Sequence, residues 1–289
     1  MNPLGVHALV WTQSWTESDC ARAISLTKET GFDFIEVPLL DPAGIDVAMT
    51  RGMLESHEVE ATCSLGLSFE TDVSSEDPTV AARGEALLNR AVDVTAGIGA
   101  RYLGGVVHSA MAKYKSPATE DGRARCADIL HRVAERALDA GVTIGIEAVN
   151  RYESNVINTA AQAMSLIDRV NQPNMVVHLD TYHMNIEEGD LARPVAECRE
   201  RLGYVHIGES HRGYLGSGTV DFARFFRALT EAGYDGPIAF ESFSSSVISD
   251  EFCSALAVWR DLWIEGESLA RHARSFVEDG LVAAQQVRR

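Results

Sequence analysis

Four residues with metal-binding or proton-transferring side chains lie at or near the ends of short apolar runs in the second half of the chain. They are Glu147, Asp180, His206 and Glu241. Apolar runs of about five residues are typical of buried strands. A core strand that ends in acid is a poor structural element, but it suits the mouth of a binding or catalytic site. We therefore ask what chemistry these four side chains would support together.

Three carboxylates and one imidazole at one place predict a bound cation, because like charges that close cannot all stay ionised without compensation. An oxygen-rich set with a single histidine suits Mn²⁺, Mg²⁺ or Co²⁺ better than an ion that prefers thiolates. The alternative is four unrelated residues, since a strand-end glutamate is usually solvated and a lone strand histidine usually belongs to the core. Four such residues at four successive strand ends are difficult to explain separately, so we predict one divalent metal ion.

A second set of polar residues follows three of these strands. Glu153, His183 and Arg212 lie six, three and six residues beyond a predicted ligand, in the segments that leave the strands. An acid, an imidazole and a guanidinium suit a polyhydroxylated substrate with a carbonyl group, although each alone could be an ordinary surface charge. Two other residues stay open: Glu36 either reaches the site or forms a salt bridge at the rim, and His178 is interpreted as structural.

The elements that must position these residues are eight apolar runs that alternate with eight segments of helical period. The runs are Val6–Trp11, Phe34–Leu39, Val59–Leu65, Tyr102–Val107, Val142–Ile146, Met175–Leu179, Tyr204–Ile207 and Pro237–Phe240. Such alternation predicts a parallel sheet, and eight units in roughly 250 residues match a (β/α)₈ TIM barrel. A doubly wound sheet would usually carry a Gly-rich phosphate turn after its first strand, and none is present. We expect a single α/β domain over residues 1–289.

Composition limits the classes of partner. The net charge of −17 opposes binding to nucleic acid or to an anionic membrane, since both would repel the protein. The five cysteines are scattered without a CxxC pair, which favours reduced thiols over disulfides or a zinc site. The N-terminus does not resemble a signal peptide, and no apolar run approaches the roughly 18 residues of a membrane span. These features favour a cytoplasmic location.

The motifs that contain the predicted ligands resemble the D-tagatose/D-allulose (D-psicose) ketose 3-epimerases, a branch of the xylose-isomerase-like TIM barrels. The motifs are Glu-Ala-Val-Asn-Arg-Tyr-Glu at 147–153, Leu-Asp-Thr-Tyr-His-Met-Asn-Ile-Glu-Glu at 179–188, His-Ile-Gly-Glu-Ser-His-Arg at 206–212 and the strand end at Glu241. The resemblance covers nearly the whole chain. The match at 179–188 is specific, whereas the barrel pattern alone is not.

This resemblance implies a role for each predicted site residue. Glu147, Asp180, His206 and Glu241 would bind one divalent metal ion per subunit. Glu147 and Glu241 would also be the acid/base pair, and Glu153, His183 and Arg212 would hold the O1–O2 end of a ketose. The family's habit further implies a homodimer or homotetramer. Six more positions are expected to contact substrate, and they include residues that match the family pattern and residues that depart from it. They are His7, Trp11, Trp15, Ser64, Gly66 and His108.

The expected activity is metal-dependent epimerisation at C3 of unphosphorylated ketoses, such as D-fructose/D-allulose, D-tagatose/D-sorbose or ketopentoses. One glutamate would remove the C3 proton, which lies α to the C2 carbonyl, and the other would return a proton to the opposite face of a cis-enediolate. An aldose–ketose or hydroxypyruvate-type isomerase is the alternative on the same barrel. A sugar-phosphate epimerase would need a phosphate cradle, and an endonuclease would need a basic face. A sugar-binding module with an inactive site is the non-enzymatic alternative.

Overall fold

A computed structural model describes residues 2–287, and its centre is a closed barrel of eight parallel strands. The strands are β1 (Leu4–His7), β2 (Phe34–Pro38), β3 (Glu60–Ser64), β4 (Tyr102–Gly104), β5 (Thr143–Glu147), β6 (Met175–Asp180), β7 (Leu202–Ile207) and β8 (Ile238–Phe240). Each strand pairs with the next one in the chain, and β8 pairs with β1 to close the ring. The predicted TIM barrel is confirmed.

Helices connect the strands and form an outer layer around the barrel. They are α1 (Glu17–Glu29), α2 (Val47–His57), α3 (Pro78–Gly97), α4 (Glu120–Asp139), α5 (Ala160–Val170), α6 (Thr181–Glu187), α7 (Ala192–Cys198), α8 (Phe222–Ala232), α9 (Asp250–Leu256) and α10 (Gly266–Val287). The sequence explains several of their starts. Thr159 and Gln162 form a capping box at α5, and Pro78 occupies the first turn of α3, where its missing N–H costs nothing.

Burial follows the expected faces of the elements. The aromatic stripe of α8 is buried, with Phe225 completely inaccessible to solvent, so this helix packs onto the barrel as its 3.6-residue period predicts. The barrel interior contains a separate apolar cluster that includes Phe34, Tyr102 and Tyr204. All five cysteines are buried and unpaired. Within residues 2–287, no helix is long and apolar enough to cross a membrane.

Several elements differ from the sequence-based expectation. The first strand ends at His7, because the His7 ring accepts a hydrogen bond from the Leu9 N–H and starts a 3₁₀ turn over Ala8–Val10. The sequence pattern from Glu251 onward is helical almost to the end of the chain, but the structure has two helices there, α9 and α10, separated by an irregular segment at 257–265. His183 lies in the short helix α6 rather than in a loop.

Candidate metal centre and active site

The four predicted metal ligands converge at the C-terminal ends of the last four strands. Glu147 and Asp180 end β5 and β6, His206 is the fifth residue of β7, and Glu241 directly follows β8. Carboxylate oxygens of Glu147, Glu241 and Asp180 lie 3.4, 3.7 and 4.0 Å from the same atom, Nδ1 of His206. The barrel geometry therefore brings side chains from four strands to one point.

The donor set fits a divalent cation. His206 Nδ1 is buried and has no hydrogen-bond partner within the part of the chain that the structure describes, although three carboxylates face it. Such an orphaned nitrogen is a typical position for a metal ligand, since a buried polar atom without any partner is costly. Among residues 2–287, three groups of side chains each have one potential ligand atom per residue, and the atoms of a group lie within 4.8 Å of one another: Glu147 with His178 and His206, Glu147 with Asp180 and His183, and Asp180 with His206 and Glu241.

The pKa values of the cluster also indicate that positive charge is favoured there. Burial alone would lower the pKa of His206, but the carboxylates of Glu36 and Glu241 outweigh burial and raise it well above its usual value. Burial raises the pKa of the Glu147 carboxyl to about 7. Burial would also raise the pKa of Glu241, but Arg212 and His206 reverse that effect and lower it. The two predicted acid/base glutamates are therefore shifted in opposite directions.

His183 lies beside the ligand cluster as a neutral hydrogen-bond donor. Its Nδ1 accepts the backbone N–H of Asn150 at 3.0 Å, so the ring proton is on Nε2. Nε2 faces the carboxylates of Asp180 at 3.6 Å and Glu147 at 3.8 Å. Burial lowers the pKa of His183 well below its usual value, which keeps the ring uncharged. Asn150, which the sequence analysis did not assign, thus sets the tautomer of His183.

Glu153 and Arg212 complete the polar wall on this side. The Asn150 amide donates to Glu153 Oε1 at 2.8 Å, and Glu153 Oε2 lies 4.0 Å from His183 Nε2. Arg212 donates to Asp180 Oδ2 at 3.1 Å and to Glu241, and its guanidinium stacks on the Tyr182 ring at 3.8 Å. The predicted second set therefore lies next to the predicted ligands.

The backbone of Arg212 adopts the left-handed conformation, with φ of 62°. Such a φ is uncommon for a residue with a side chain, so the surroundings must hold it. The Ser242 hydroxyl donates to the Arg212 carbonyl, and the Trp263 indole donates to that hydroxyl at 2.7 Å. The segment before α10 thereby fixes the direction of the arginine.

Three of the six remaining predicted contacts line the cavity above the cluster. His7, Ser64 and Gly66 share its wall with Glu147, His206 and Glu241, together with the apolar side chains of Leu9, Leu40, Met111, Phe243, Phe252 and Leu256. His7 Nε2 lies 3.3 Å from the Ser64 hydroxyl and 3.9 Å from Glu241 Oε1. A side chain at position 66 would meet Met111 at 3.1 Å, so glycine keeps this wall open.

The other three predicted contacts, Trp11, Trp15 and His108, are not among the residues that line this cavity. The Trp11 indole donates to Thr27 on α1 at 3.0 Å, and the Trp15 indole donates to Thr50 on α2 at 3.0 Å. Both rings thus belong to the helical layer. His108 is completely buried, and its Nε2 lies 3.4 Å from the Ser154 hydroxyl. It supports the segment that carries Glu153 instead of facing a ligand.

His178 is closer to the site than the sequence indicated, and Glu36 reaches the site, which was one of its two expected positions. His178 points to the same face of β6 as Asp180, because residues two apart on a strand share a face, and its ring packs 4.2 Å from that of His206. Neither ring nitrogen of His178 has a hydrogen-bond partner among residues 2–287. Glu36 is fully buried inside the barrel and accepts a hydrogen bond from His206 Nε2 at 2.7 Å. It is therefore not a rim residue.

Comparisons with known proteins agree with this geometry. A family model described as xylose isomerase-like TIM barrel matches residues 24–278. A ketose 3-epimerase of Arthrobacter globiformis is 51% identical over 284 residues, which cover 98% of this chain and 98% of that protein. An L-ribulose 3-epimerase of Methylomonas sp. is 48% identical, covering 95% of this chain and 96% of its own.

A solved structure supports the same relationship. The crystal structure of a D-allulose 3-epimerase from Methylomonas sp. matches with a TM-score of 0.95 at 48% identity, covering 97% of this chain and 98% of that chain. The similarity therefore extends over the complete barrel and includes the strands that carry the cluster. The chain belongs to the xylose isomerase-like TIM barrel family and, within it, to the ketose 3-epimerases.

Proposed function

We propose that this ketose 3-epimerase inverts C3 of unphosphorylated ketoses with the help of one divalent metal ion and two glutamates. The observation that carries the proposal is the convergence of three carboxylates on the orphaned Nδ1 of His206. The metal ligands would be Glu147, Asp180, His206 and Glu241. When bound, Mn²⁺, Mg²⁺ or Co²⁺ supplies positive charge against the negative charge that develops on the substrate oxygens.

Proton transfer is assigned to Glu147 and Glu241. Their pKa values are shifted in opposite directions, up for Glu147 and down for Glu241. A two-base mechanism needs one carboxylate to accept the C3 proton and one carboxylic acid to return a proton to the other face. Epimerisation in the opposite direction exchanges the two roles.

Three residues are proposed to hold the O1–O2 end of the ketose. His183 presents Nε2–H beside Asp180 and can donate to O2 without carrying charge. Arg212 adds a permanent positive charge, because the carboxylates of Glu241 and Asp180 outweigh burial and raise its pKa. Both groups stabilise negative charge on O2 as the enediolate forms. Burial raises the pKa of Glu153, whose carboxyl can bond a substrate hydroxyl.

The substrate class follows from the relatives and the cavity. The relatives are named for ketoses of five and six carbons, L-ribulose and D-allulose. We assign D-fructose/D-allulose, D-tagatose/D-sorbose and ketopentoses as substrates. The apolar side chains that share the cavity wall with His7, Ser64 and Gly66 can accommodate chains of different length.

The remaining assignments concern the protein as a whole. We infer that residues 1–289 form one domain and that the protein acts in the cytoplasm as a homodimer or homotetramer. Trp259 and Ile264, in the segment between α9 and α10, have 73% and 75% of their surface exposed. Large apolar side chains at that exposure suit a contact between subunits. Size-exclusion chromatography with light scattering would measure the assembly.

The decisive test combines a substrate panel with removal of the metal. The protein is treated with a chelator and assayed on ketohexoses and ketopentoses before and after addition of Mn²⁺, Mg²⁺ or Co²⁺. We expect activity to disappear on chelation and to return when the metal ion is added, with a C3 epimer as the product. Aldose products would instead indicate an aldose–ketose or hydroxypyruvate-type isomerase. Activity that survives complete chelation would contradict the metal's role.

The two-glutamate mechanism has its own test. In D₂O the wild-type product should carry deuterium at C3, because the proton returned comes from an exchangeable carboxyl. Glu147→Gln and Glu241→Gln should each abolish epimerisation. Glu120→Gln, which alters an exposed glutamate of α4 that pairs with Arg169, is the control and should retain activity. Robust turnover by either active-site variant, or a product without deuterium, would refute the mechanism.

A further inference from the structure

Glu36 is a buried carboxylate that neither the proposed metal set nor the proposed substrate contacts include. It lies on β2, and none of its surface is exposed to solvent. Its Oε2 accepts two hydrogen bonds, from His206 Nε2 at 2.7 Å and from the Tyr204 hydroxyl at 2.7 Å. An ionised carboxylate inside a barrel is costly unless such partners compensate it. This position therefore needs an explanation beyond packing.

The contact determines how the His206 ring is presented. A ring nitrogen that bonds to a carboxylate carries the hydrogen, so in the neutral ring, the form that binds a metal ion, Nε2 is protonated and Nδ1 keeps its lone pair. Nδ1 is the atom that faces Glu147, Glu241 and Asp180. Metal-binding histidines commonly donate their second ring N–H to a carboxylate, which fixes the tautomer and the ring orientation.

We propose that Glu36 is a positioning residue that holds His206 with Nδ1 directed at the metal. This inference rests on the metal role proposed for His206. Glu36 acts through the histidine: its Oε2 contacts the Nε2 side of the ring, opposite the nitrogen that faces the cluster. Its substitution should therefore weaken metal binding even though the four ligands remain.

Glu36 is itself held by a hydrogen-bonded chain through the barrel interior. Because the Tyr204 hydroxyl gives its hydrogen to Glu36, it accepts one from the Thr62 hydroxyl at 2.8 Å. Thr62 lines a cavity of about 800 Å³ at the opposite, N-terminal mouth of the barrel. The chain thus connects β3, β7 and β2, and successive hydrogen bonds of this kind reinforce one another.

The barrel provides a matched pair of tyrosines that separates positioning from packing. Tyr102 and Tyr204 stack on each other with ring centroids 4.1 Å apart and an angle of 9°. Both are buried. The Tyr204 hydroxyl bonds to Glu36, whereas the Tyr102 hydroxyl has no hydrogen-bond partner anywhere in residues 2–287. Phenylalanine at either position removes one hydroxyl from the same stack.

The experiment titrates the metal-free protein with Mn²⁺ and follows the loss of the free-ion signal by electron paramagnetic resonance. Glu36→Gln keeps the shape and one acceptor but removes the charge, and we expect its affinity for Mn²⁺ to fall about 10- to 100-fold. Tyr204→Phe acts one bond further away and should weaken binding about 2- to 10-fold, while Tyr102→Phe stays within about 2-fold of wild type. Thermal melts of the metal-free variants verify that each is folded.

The outcomes are distinct. Wild-type affinity in both Glu36→Gln and Tyr204→Phe would overturn the inference. Equal weakening by Tyr102→Phe and Tyr204→Phe would also overturn it, because the effect would then come from packing of the stack. If the wild-type protein binds no Mn²⁺, the proposed metal centre fails before Glu36 is tested. Should Glu36→Gln not fold, the comparison of the two tyrosine variants still decides the question.

Discussion

Substitution of Asn150 tests how the structure keeps His183 as a hydrogen-bond donor. The Asn150 backbone N–H donates to His183 Nδ1, and the side-chain amide nitrogen lies 2.9 Å from the same ring atom. That amide also donates to Glu153 at 2.8 Å. Aspartate has the same shape, but an ionised carboxylate only accepts hydrogen bonds. Asn150→Asp therefore places an acceptor where two neighbours require a donor.

The magnitude follows from the contacts that are lost. A hydrogen bond to a charged group contributes about 1.5–3 kcal/mol, which corresponds to roughly 10- to 150-fold in a rate constant. Asn150→Ala loses the bond to Glu153 but keeps the backbone donor to His183, so kcat/KM should fall by about 10-fold, at the low end of this range. Asn150→Asp additionally favours the His183 tautomer with hydrogen on Nδ1 and adds repulsion against Glu153. The kcat/KM of Asn150→Asp should therefore fall by about 150-fold, at the high end of the range.

The assay measures kcat and KM for epimerisation of D-allulose by both variants, with nitrogen-15 NMR of the histidines to report the tautomer. Wild type and Asn150→Ala should show His183 protonated on Nε2, and Asn150→Asp should shift hydrogen toward Nδ1. Equal losses in the two variants, with the tautomer unchanged, would refute the donor argument. Wild-type kinetics in both would show that neither His183 nor Glu153 depends on Asn150.

Three further predictions concern stability and the cavity. Burial raises the pKa of Glu147 from its ordinary 4.5 to about 7, so the folded metal-free protein holds a proton that the unfolded chain has released. The stability of the metal-free protein should therefore decrease as the pH rises from about 4.5 to about 7. Thermal melts at a series of pH values should show a smaller decrease in melting temperature for Glu147→Gln than for wild type. Gly66→Ala directs a methyl group at the flexible Met111 side chain, so KM for ketohexoses should rise with little change in the melting temperature. Phe225→Ala removes a fully buried ring and should lower the free energy of unfolding by about 3–5 kcal/mol, measured by urea denaturation.

The sequence was sufficient for the barrel and for the position of the cluster because both depend on local pattern. Each of the last four apolar runs contains one of the four predicted ligands or is directly followed by one, and the C-terminal ends of parallel strands meet at one mouth. The convergence of Glu147, Asp180 and Glu241 on His206 Nδ1 agrees with that expectation. The predicted strand limits were less accurate. The first strand, for example, ends at His7 because a 3₁₀ turn follows it, and that turn depends on one side-chain hydrogen bond.

Side-chain direction explains why three of the predicted substrate contacts lie away from the cavity above the cluster. Trp11 and Trp15 occur near the first strand, but the 3₁₀ turn and the hydroxyls of Thr27 and Thr50 bring both indoles into the helical layer. A resemblance between sequences locates such residues along the chain without giving their direction. His108 was also expected to contact substrate, and its ring lies against Ser154 in the segment that carries Glu153.

The residues whose roles the sequence left open make their contacts across the barrel or between segments. Glu36 and His206 are 170 positions apart, so no local spacing relates them. Asn150 was assigned no role from the sequence, and its effect on His183 depends on how α6 follows β6. His178 had a readable signal, because its separation of two residues from Asp180 on one strand already predicts a shared face.

Closure of the barrel determines when the site can exist during synthesis of the chain. The four proposed ligands emerge from the ribosome in the second half, and the last of them, Glu241, follows the strand that pairs with β1. The carboxylate that orients His206 is made much earlier, on β2. A nascent chain that stops before β8 therefore has the orienting group and three ligands but no complete ring. Tight metal uptake thus reports that the first and last strands have met.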